Sequence, residues 1–141
     1  MNGRFDETRR GMFARFAGAL VFTVGIRFSA FAAPLVSYTA KSGVPTECHA
    51  GGYWRVDANG KVWPVTIQFM ARPKNGTATA QVTTGQRPLR NGEVKTVRLT
   101  QVIYQSRKGF VGEDSFTYRR ITADPTDPNN GKEYTVAVTV R

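Results

Sequence analysis

Tyr134, Val136, Val138 and Val140 occupy alternate positions near the end of the chain, with Thr135 and Thr139 between them. A period of two puts these four side chains on one side of an extended segment, whereas a helix would scatter them around its axis. The same alternation recurs in Val65, Ile67 and Phe69 against Thr66 and Gln68, in Ala78, Ala80 and Val82 between threonines, and in Phe116 and Tyr118. From Ala33 onward no stretch of ten residues carries helical apolar spacing. The chain therefore reads as all-β, each strand burying one face and wetting the other.

Turn residues set the order of the strands. Leu35 to Thr39 reads as a short first strand, and Lys41 to Gly52 as a loop rich in Gly, Pro and small polar residues. Asp57-Ala58-Asn59-Gly60 separates the strands 52–56 and 61–70, with Gly60 free to take a positive φ. Pro64 has no backbone N–H, which predicts an edge or a bulge there. Asn75-Gly76 is a strong two-residue hairpin signal and predicts direct pairing of the strand before it with Thr77 to Thr83. Gly85 to Gly92 reads as a loop carrying Arg87 and Arg90. In the strand 94–104 the inward set shifts from Val97 and Leu99 to Val102 and Tyr104, an odd step that predicts a bulge near Thr100. Ala123 to Gly131 is a loop by composition. About seven strands with no linker make one domain over residues 33–141, on the scale of a two-sheet sandwich.

The first 32 residues have a different grammar. Arg4, Arg9, Arg10 and Arg15 form a basic region, Phe16 to Ile26 is an 11-residue apolar run, and Ala30-Phe31-Ala32 supplies a small-x-small cleavage pattern. That order is expected of an export signal, with Ala33 as the new N-terminus. The run is short of the roughly 20 apolar residues that span a bilayer, and no later segment is longer. Thr8-Arg9-Arg10-Gly11-Met12-Phe13 also fits a twin-arginine signal with Met12 at the usual Phe position. Either route predicts a periplasmic or extracellular protein.

Charge narrows the partners. The sequence holds 20 Lys plus Arg against 10 Asp plus Glu, and removal of residues 1–32 leaves 15 against 8, a net +7. A basic exported protein is drawn to anionic envelope polymers over about a Debye length, roughly 8 Å in physiological salt. Nucleic acid is not an expected partner outside the cytoplasm.

One Cys and one His exclude an intramolecular disulfide, and with it structural zinc and iron–sulfur chemistry. Cys48 and His49 are the only thiol and imidazole, but neighbours on an extended chain point to opposite sides. Cys48 reads instead as a buried or oxidisable thiol, and as one route to a covalent dimer. Asp124, Asp127 and Asn129 are candidate calcium ligands in a loop that lacks the spacing and closing Glu of an EF-hand; a Pro/Asn turn is the simpler reading. No cofactor is expected. Tyr53, Trp54 and Trp63 lie near Arg55 and Lys61, and an exposed ring among them would offer a stacking platform. Alternation should bury one of Tyr53 and Trp54.

Gly109-Phe110-Val111-Gly112-Glu113-Asp114-Ser115-Phe116-Thr117-Tyr118 resembles the G-F-x-G-x-D-S-F-T-Y signature of bacterial immunoglobulin-like and cadherin-like domains. Val102-Ile103-Tyr104 and Pro73-Lys74-Asn75-Gly76-Thr77 match further family pieces in the same order, so the resemblance spans roughly Thr66 to Val140. It implies an immunoglobulin-like Greek-key β-sandwich and no activity. Gly109 and Gly112 permit a sharp turn, Asp114 is expected to fix that turn, and Phe116 with Tyr118 should face the core.

These observations predict an exported, non-catalytic binding or structural module of the bacterial cell envelope. Its partner would be a protein or an anionic polysaccharide, met through Tyr53, Trp54, Arg55, Arg87 and Arg90. A small periplasmic enzyme or enzyme inhibitor acting through loop residues is the alternative. No paired carboxylates at suggestive spacing, nucleophile elbow or phosphate loop supports it. Self-association through an edge strand is a further expectation.

Overall fold

The computed structural model describes Ala33 and residues 35–141. The export signal expected over residues 1–32 lies outside them. The alternation in the sequence becomes nine strands: β1 Leu35–Ala40, β2 Thr46–Glu47, β3 Arg55–Val56, β4 Val62–Trp63, β5 Val65–Ala71, β6 Gly76–Pro88, β7 Val94–Ser106, β8 Gly112–Thr122 and β9 Glu133–Val140. One sheet has the order β1-β9-β8-β5, with β1 parallel to β9 and the other pairs antiparallel. The second has the order β2-β7-β6, and β3 and β4 form a small hairpin of their own.

Side chains from both sheets fill one core. Val65, Ile67, Phe116, Tyr118, Val136, Val138 and Val140 come from the first sheet, Ala78, Val102 and Tyr104 from the second. The Tyr104 and Phe116 rings stack across the layers with centroids 6.0 Å apart and planes 5° from parallel. Rings of this size bury roughly 150–250 Å² each, so the centre of the sandwich is aromatic where its last strand is β-branched. The two sheets share this core, so the fold is a β-sandwich.

Five local expectations are corrected. Asn75-Gly76 does not close a hairpin, because β5 pairs with β8 and β6 with β7; the turn carries the chain from one sheet to the other. Gly76 is required there by close approach, since a Cβ would run into the Gln105 carbonyl. The segment expected as a loop from Gly85 to Gly92 is half strand: β6 continues to Pro88, and only Leu89 to Glu93 forms the turn. Within β6 only Ala78 is buried, while Ala80 and Val82 are exposed.

No bulge interrupts β7. Its register with β6 is unbroken from Val94 to Ser106, and the odd step arises because the strand is buried on both faces in succession. Thr100, Val102 and Tyr104 face the sandwich, whereas Val97 and Leu99 are buried on the opposite face, outside the main core. The excursion between β2 and β5 covers that second face. Arg87 Nη2 donates to the Gly51 carbonyl at 2.6 Å and Lys95 Nζ to the Gly60 carbonyl, while Leu99 packs against Gly52 and Gly85. The one register shift falls in β5, between Phe69 and Ala71.

Asp114 is the fifth correction, because its carboxylate serves the Lys74–Asn75 turn rather than the turn at Gly109 and Gly112. Its Oδ1 accepts from the Lys74 and Ser115 N–H groups, and its Oδ2 from the Asn75 N–H and the Tyr104 hydroxyl, all at 2.9 or 3.0 Å. One carboxylate from the first sheet therefore holds both the crossover turn and a ring of the second. Gly109 and Gly112 have φ of 88° and 139°, and Phe110 lies over Gly112 and packs on the core.

Candidate functional site

The inward register of β8 reads Asp114, Phe116, Tyr118, Arg120, Thr122, all buried. A guanidinium on a core-facing position calls for a partner, and Arg120 Nη1 donates to Asp127 Oδ2 in the loop that follows. The same loop is laced by backbone bonds: Arg120 N–H to the Lys132 carbonyl at 2.9 Å, and Gly131 N–H to the Arg120 carbonyl at 2.8 Å. Asp127 Oδ1 accepts from the Asn129 N–H at 3.0 Å. Arg120 is thus fixed at the end of the sandwich opposite Asp114.

The other wall comes from the segment after β2. Gly51 and Gly52 have φ of 82° and 68°, a reversal closed to most residues, after which Tyr53 pairs with Thr100 by two backbone bonds of 2.9 Å. This reversal drives Tyr53 into the core and leaves Trp54 half-buried beside it. His49 stacks on Tyr53 with ring centroids 3.8 Å apart and planes 3° from parallel. Tyr53 and Tyr118 share a hydroxyl hydrogen bond of 2.6 Å, and Tyr134 lies 5.8 Å from Tyr53 and 5.4 Å from Tyr118. Lys132 Nζ sits 5.5 Å from the Tyr134 ring centre.

Together His49, Gly52, Tyr53, Trp54, Arg120, Asn129, Lys132 and Tyr134 line an open pocket of about 350 Å³. Its chemistry is aromatic walls with cationic and amide donors. Arg120 borders this pocket although it is 5% exposed, with its Nη1 held by Asp127. Burial lowers the affinity of His49 for a proton below the usual imidazole range, so it is a neutral ring near pH 7. Burial pushes the Tyr118 hydroxyl up to about 12, against the bond from Tyr53, and burial together with that same bond raises Tyr53 as well. The phenols remain protonated and serve as donors or stacking surface.

The expected site residues divide. Trp54 lines the pocket, while Tyr53 is its floor and part of the core. Arg55 is spent on structure: its Nε donates to Asp124 Oδ2 at 2.5 Å and its Nη2 to the Thr126 hydroxyl at 3.1 Å. Arg87 holds the Gly51 carbonyl behind the pocket, and Arg90 is exposed in the β6–β7 turn and does not line it. Trp63 donates its indole N–H to Asp57 at 2.9 Å and lies under Lys61 Nζ, 3.6 Å from the ring centre. That indole bond, followed by the Lys61 and Asn59 backbone bonds, holds the Asp57 carboxyl below its usual range.

The calcium candidates have other partners. Asp124 accepts from Arg55 and from the Thr126 N–H and hydroxyl; burial opposes its ionisation, but these bonds outweigh it and keep the carboxyl below its usual range. Asp127 faces Arg120 and the Asn129 backbone, so a cation would have to displace two guanidinium groups. Among the described residues no three His, Cys, Asp or Glu side chains gather as a metal-ligand set. Cys48 is buried, burial pushes its thiol up to about 11, and a disulfide to a second chain would need this segment to open.

Sequence reasoning did not place Arg120, Lys132, Tyr134 or His49 at a binding site: Tyr134 read as part of a buried face and His49 only as a neighbour of Cys48. Arg120 had a readable signal, since it follows Phe116 and Tyr118 on the buried register of β8. No family model matches this chain, and no similar curated protein or solved structure is found.

Proposed function

We propose that the protein is an exported, non-catalytic binding module of the bacterial cell envelope, and that its partner is an anionic polysaccharide received at the Trp54–Lys132 pocket. The resemblance of residues 66–140 to immunoglobulin-like and cadherin-like envelope domains and the basic charge of residues 33–141 support the setting. One observation carries the choice of partner. The pocket is lined by Arg120 and Lys132 together with the rings of Trp54, His49 and Tyr134. A sugar ring stacks on aromatic faces, and a carboxylate on that ring pairs with a guanidinium or an ammonium. Catalysis has no matching pair here: the only thiol is buried and protonated, and the phenols hold their protons.

Calorimetric titration with a uronic-acid oligosaccharide and with its carboxyl-reduced counterpart tests the reading. The acidic sugar should bind, the reduced one should bind at least about tenfold more weakly, and Lys132→Ala or Trp54→Ala should each lower affinity about tenfold, the scale of one lost charge-assisted bond or stacked ring. Equal binding of both sugars, or binding of neither, would overturn it. Capture of an envelope protein at the same residues would move the assignment to a protein partner.

A further inference from the structure

Strand β6 stands at the end of the second sheet, and among the described residues no strand lies on its outer side. Its polarity contrasts with the rest of the molecule. Gly76 to Gln86 carries no charged side chain in a chain with 20 Lys plus Arg, contains no Pro and shows no register shift. Edge strands are ordinarily protected against pairing by a charge, a proline or a bulge.

The direction of its backbone groups follows from the ladder. Arg107 N–H bonds the Asn75 carbonyl and Leu89 N–H bonds the Glu93 carbonyl, so odd-numbered residues of this register exchange bonds with β7. The even-numbered residues then aim N–H and C=O outward. Consistent with this, Arg72 Nη1 reaches round to the Ala78 carbonyl at 2.8 Å, which closes the ladder at that end. Pro88 has no N–H and closes it at the other. Between these stops Ala80, Val82 and Thr84 keep open donors and acceptors and Gln86 keeps its N–H, its carbonyl accepting from Arg87 Nη1 at 3.0 Å; the four positions are symmetric about Thr83, and Val82 is 56% exposed on this rim.

We infer that β6 pairs antiparallel with β6 of a second copy of this chain across a two-fold axis at Thr83. In this register Val82 faces Thr84 of the other copy, Ala80 faces Gln86, and Thr83 faces its own equivalent. With the Gln86 carbonyl taken by Arg87, the four outward residues on each copy make about six intermolecular hydrogen bonds. The ladder ends where Ala78 would face Pro88, that is, where the capped carbonyl meets the residue that cannot donate. Symmetry selects the occupant: the outward positions match themselves about Thr83 between the capped Ala78 carbonyl and Pro88, and opposed threonines form a favourable cross-strand pair. A ladder of this length covers less than the roughly 1,200–2,000 Å² of a stable interface, so the pairing is concentration-dependent.

Protein purified after expression from the full-length sequence provides the test. Sedimentation velocity should show a shift toward dimer as concentration rises from micromolar to millimolar. Hydrogen exchange should slow over the same range at the Ala80, Val82, Thr84 and Gln86 amides and stay constant at Thr79, Gln81 and Thr83. Val82→Lys should abolish the shift, and adding Thr84→Glu should restore it, because the new charges face each other only in this register. Both positions are exposed, and unchanged circular dichroism will confirm folding. The inference fails if the wild type stays monomeric with concentration-independent exchange at the even positions. It fails equally if the dimer persists in Val82→Lys, or if those amides are protected at all concentrations by the chain's own residues.

Discussion

Asp114 and Arg120 stand on the same face of one strand, at opposite ends, with Phe116 and Tyr118 between them. Their separation along β8 is about 20 Å at the usual rise per residue. Both bury a charge, and they are satisfied in different ways. The Asp114 carboxylate is saturated by four donors that tie the two sheets together, whereas Arg120 gives Nη1 to Asp127 and borders an open pocket. A buried charge tied across both sheets closes a fold, and one that borders a pocket can meet a ligand.

Breaking the closed end should cost most. Asp114→Ala is expected to lower unfolding free energy by about 3–5 kcal/mol, because each stranded buried donor costs about 1–3 kcal/mol. Phe116→Ala, midway along the same face, should cost a similar 3–5 kcal/mol through lost burial and the cavity it leaves. Urea titration of both variants measures this; a change under about 1 kcal/mol in either would show that the β8 face is not the core. Arg120→Met combined with Asp127→Asn, which removes the buried pair without stranding a charge, should cost only about 1–2 kcal/mol. If the double variant proves as costly as Asp114→Ala, the two ends are equally structural.

The smallest expected effect is a pH dependence confined to the open end. His49 binds a proton less readily folded than unfolded, so the unfolded chain takes up more protons below the ordinary imidazole value of 6.5. Stability is then complete above that value and declines as pH falls through the window beneath it. His49→Phe keeps the stack on Tyr53 and should flatten this part of the melting profile. A slope that survives the substitution would assign the effect elsewhere.

The closed end was more legible in sequence than the open one. Alternation in β8 and β9 fixed which residues face inward, because one buried face on a strand leaves a period of two. The Gly109 to Tyr118 segment carries its turn, its buried carboxylate and its rings within ten residues. What alternation cannot encode is pairing across the sandwich. Nothing near Asp114 announces that its acceptors serve Lys74 and Asn75, 40 and 39 residues away. Asn75-Gly76 had hairpin chemistry and became a crossover because β5 found β8. Val97 and Leu99 looked out of phase only because the cover on their face comes from the distant excursion around Gly52 and Gly60. The pocket failed to appear for the same reason: His49 and Trp54 meet Arg120, Lys132 and Tyr134 only after two segments far apart in sequence come to one end of the sandwich.

Chemical-shift mapping with a uronic-acid oligosaccharide tests the central claim most directly, because it reports where on the molecule an acidic sugar lands. The account predicts perturbations gathered at His49, Trp54, Arg120, Asn129 and Lys132, with the Asp114 end silent. Shifts spread over surface lysines and arginines, or centred on the Arg90 turn, would contradict it.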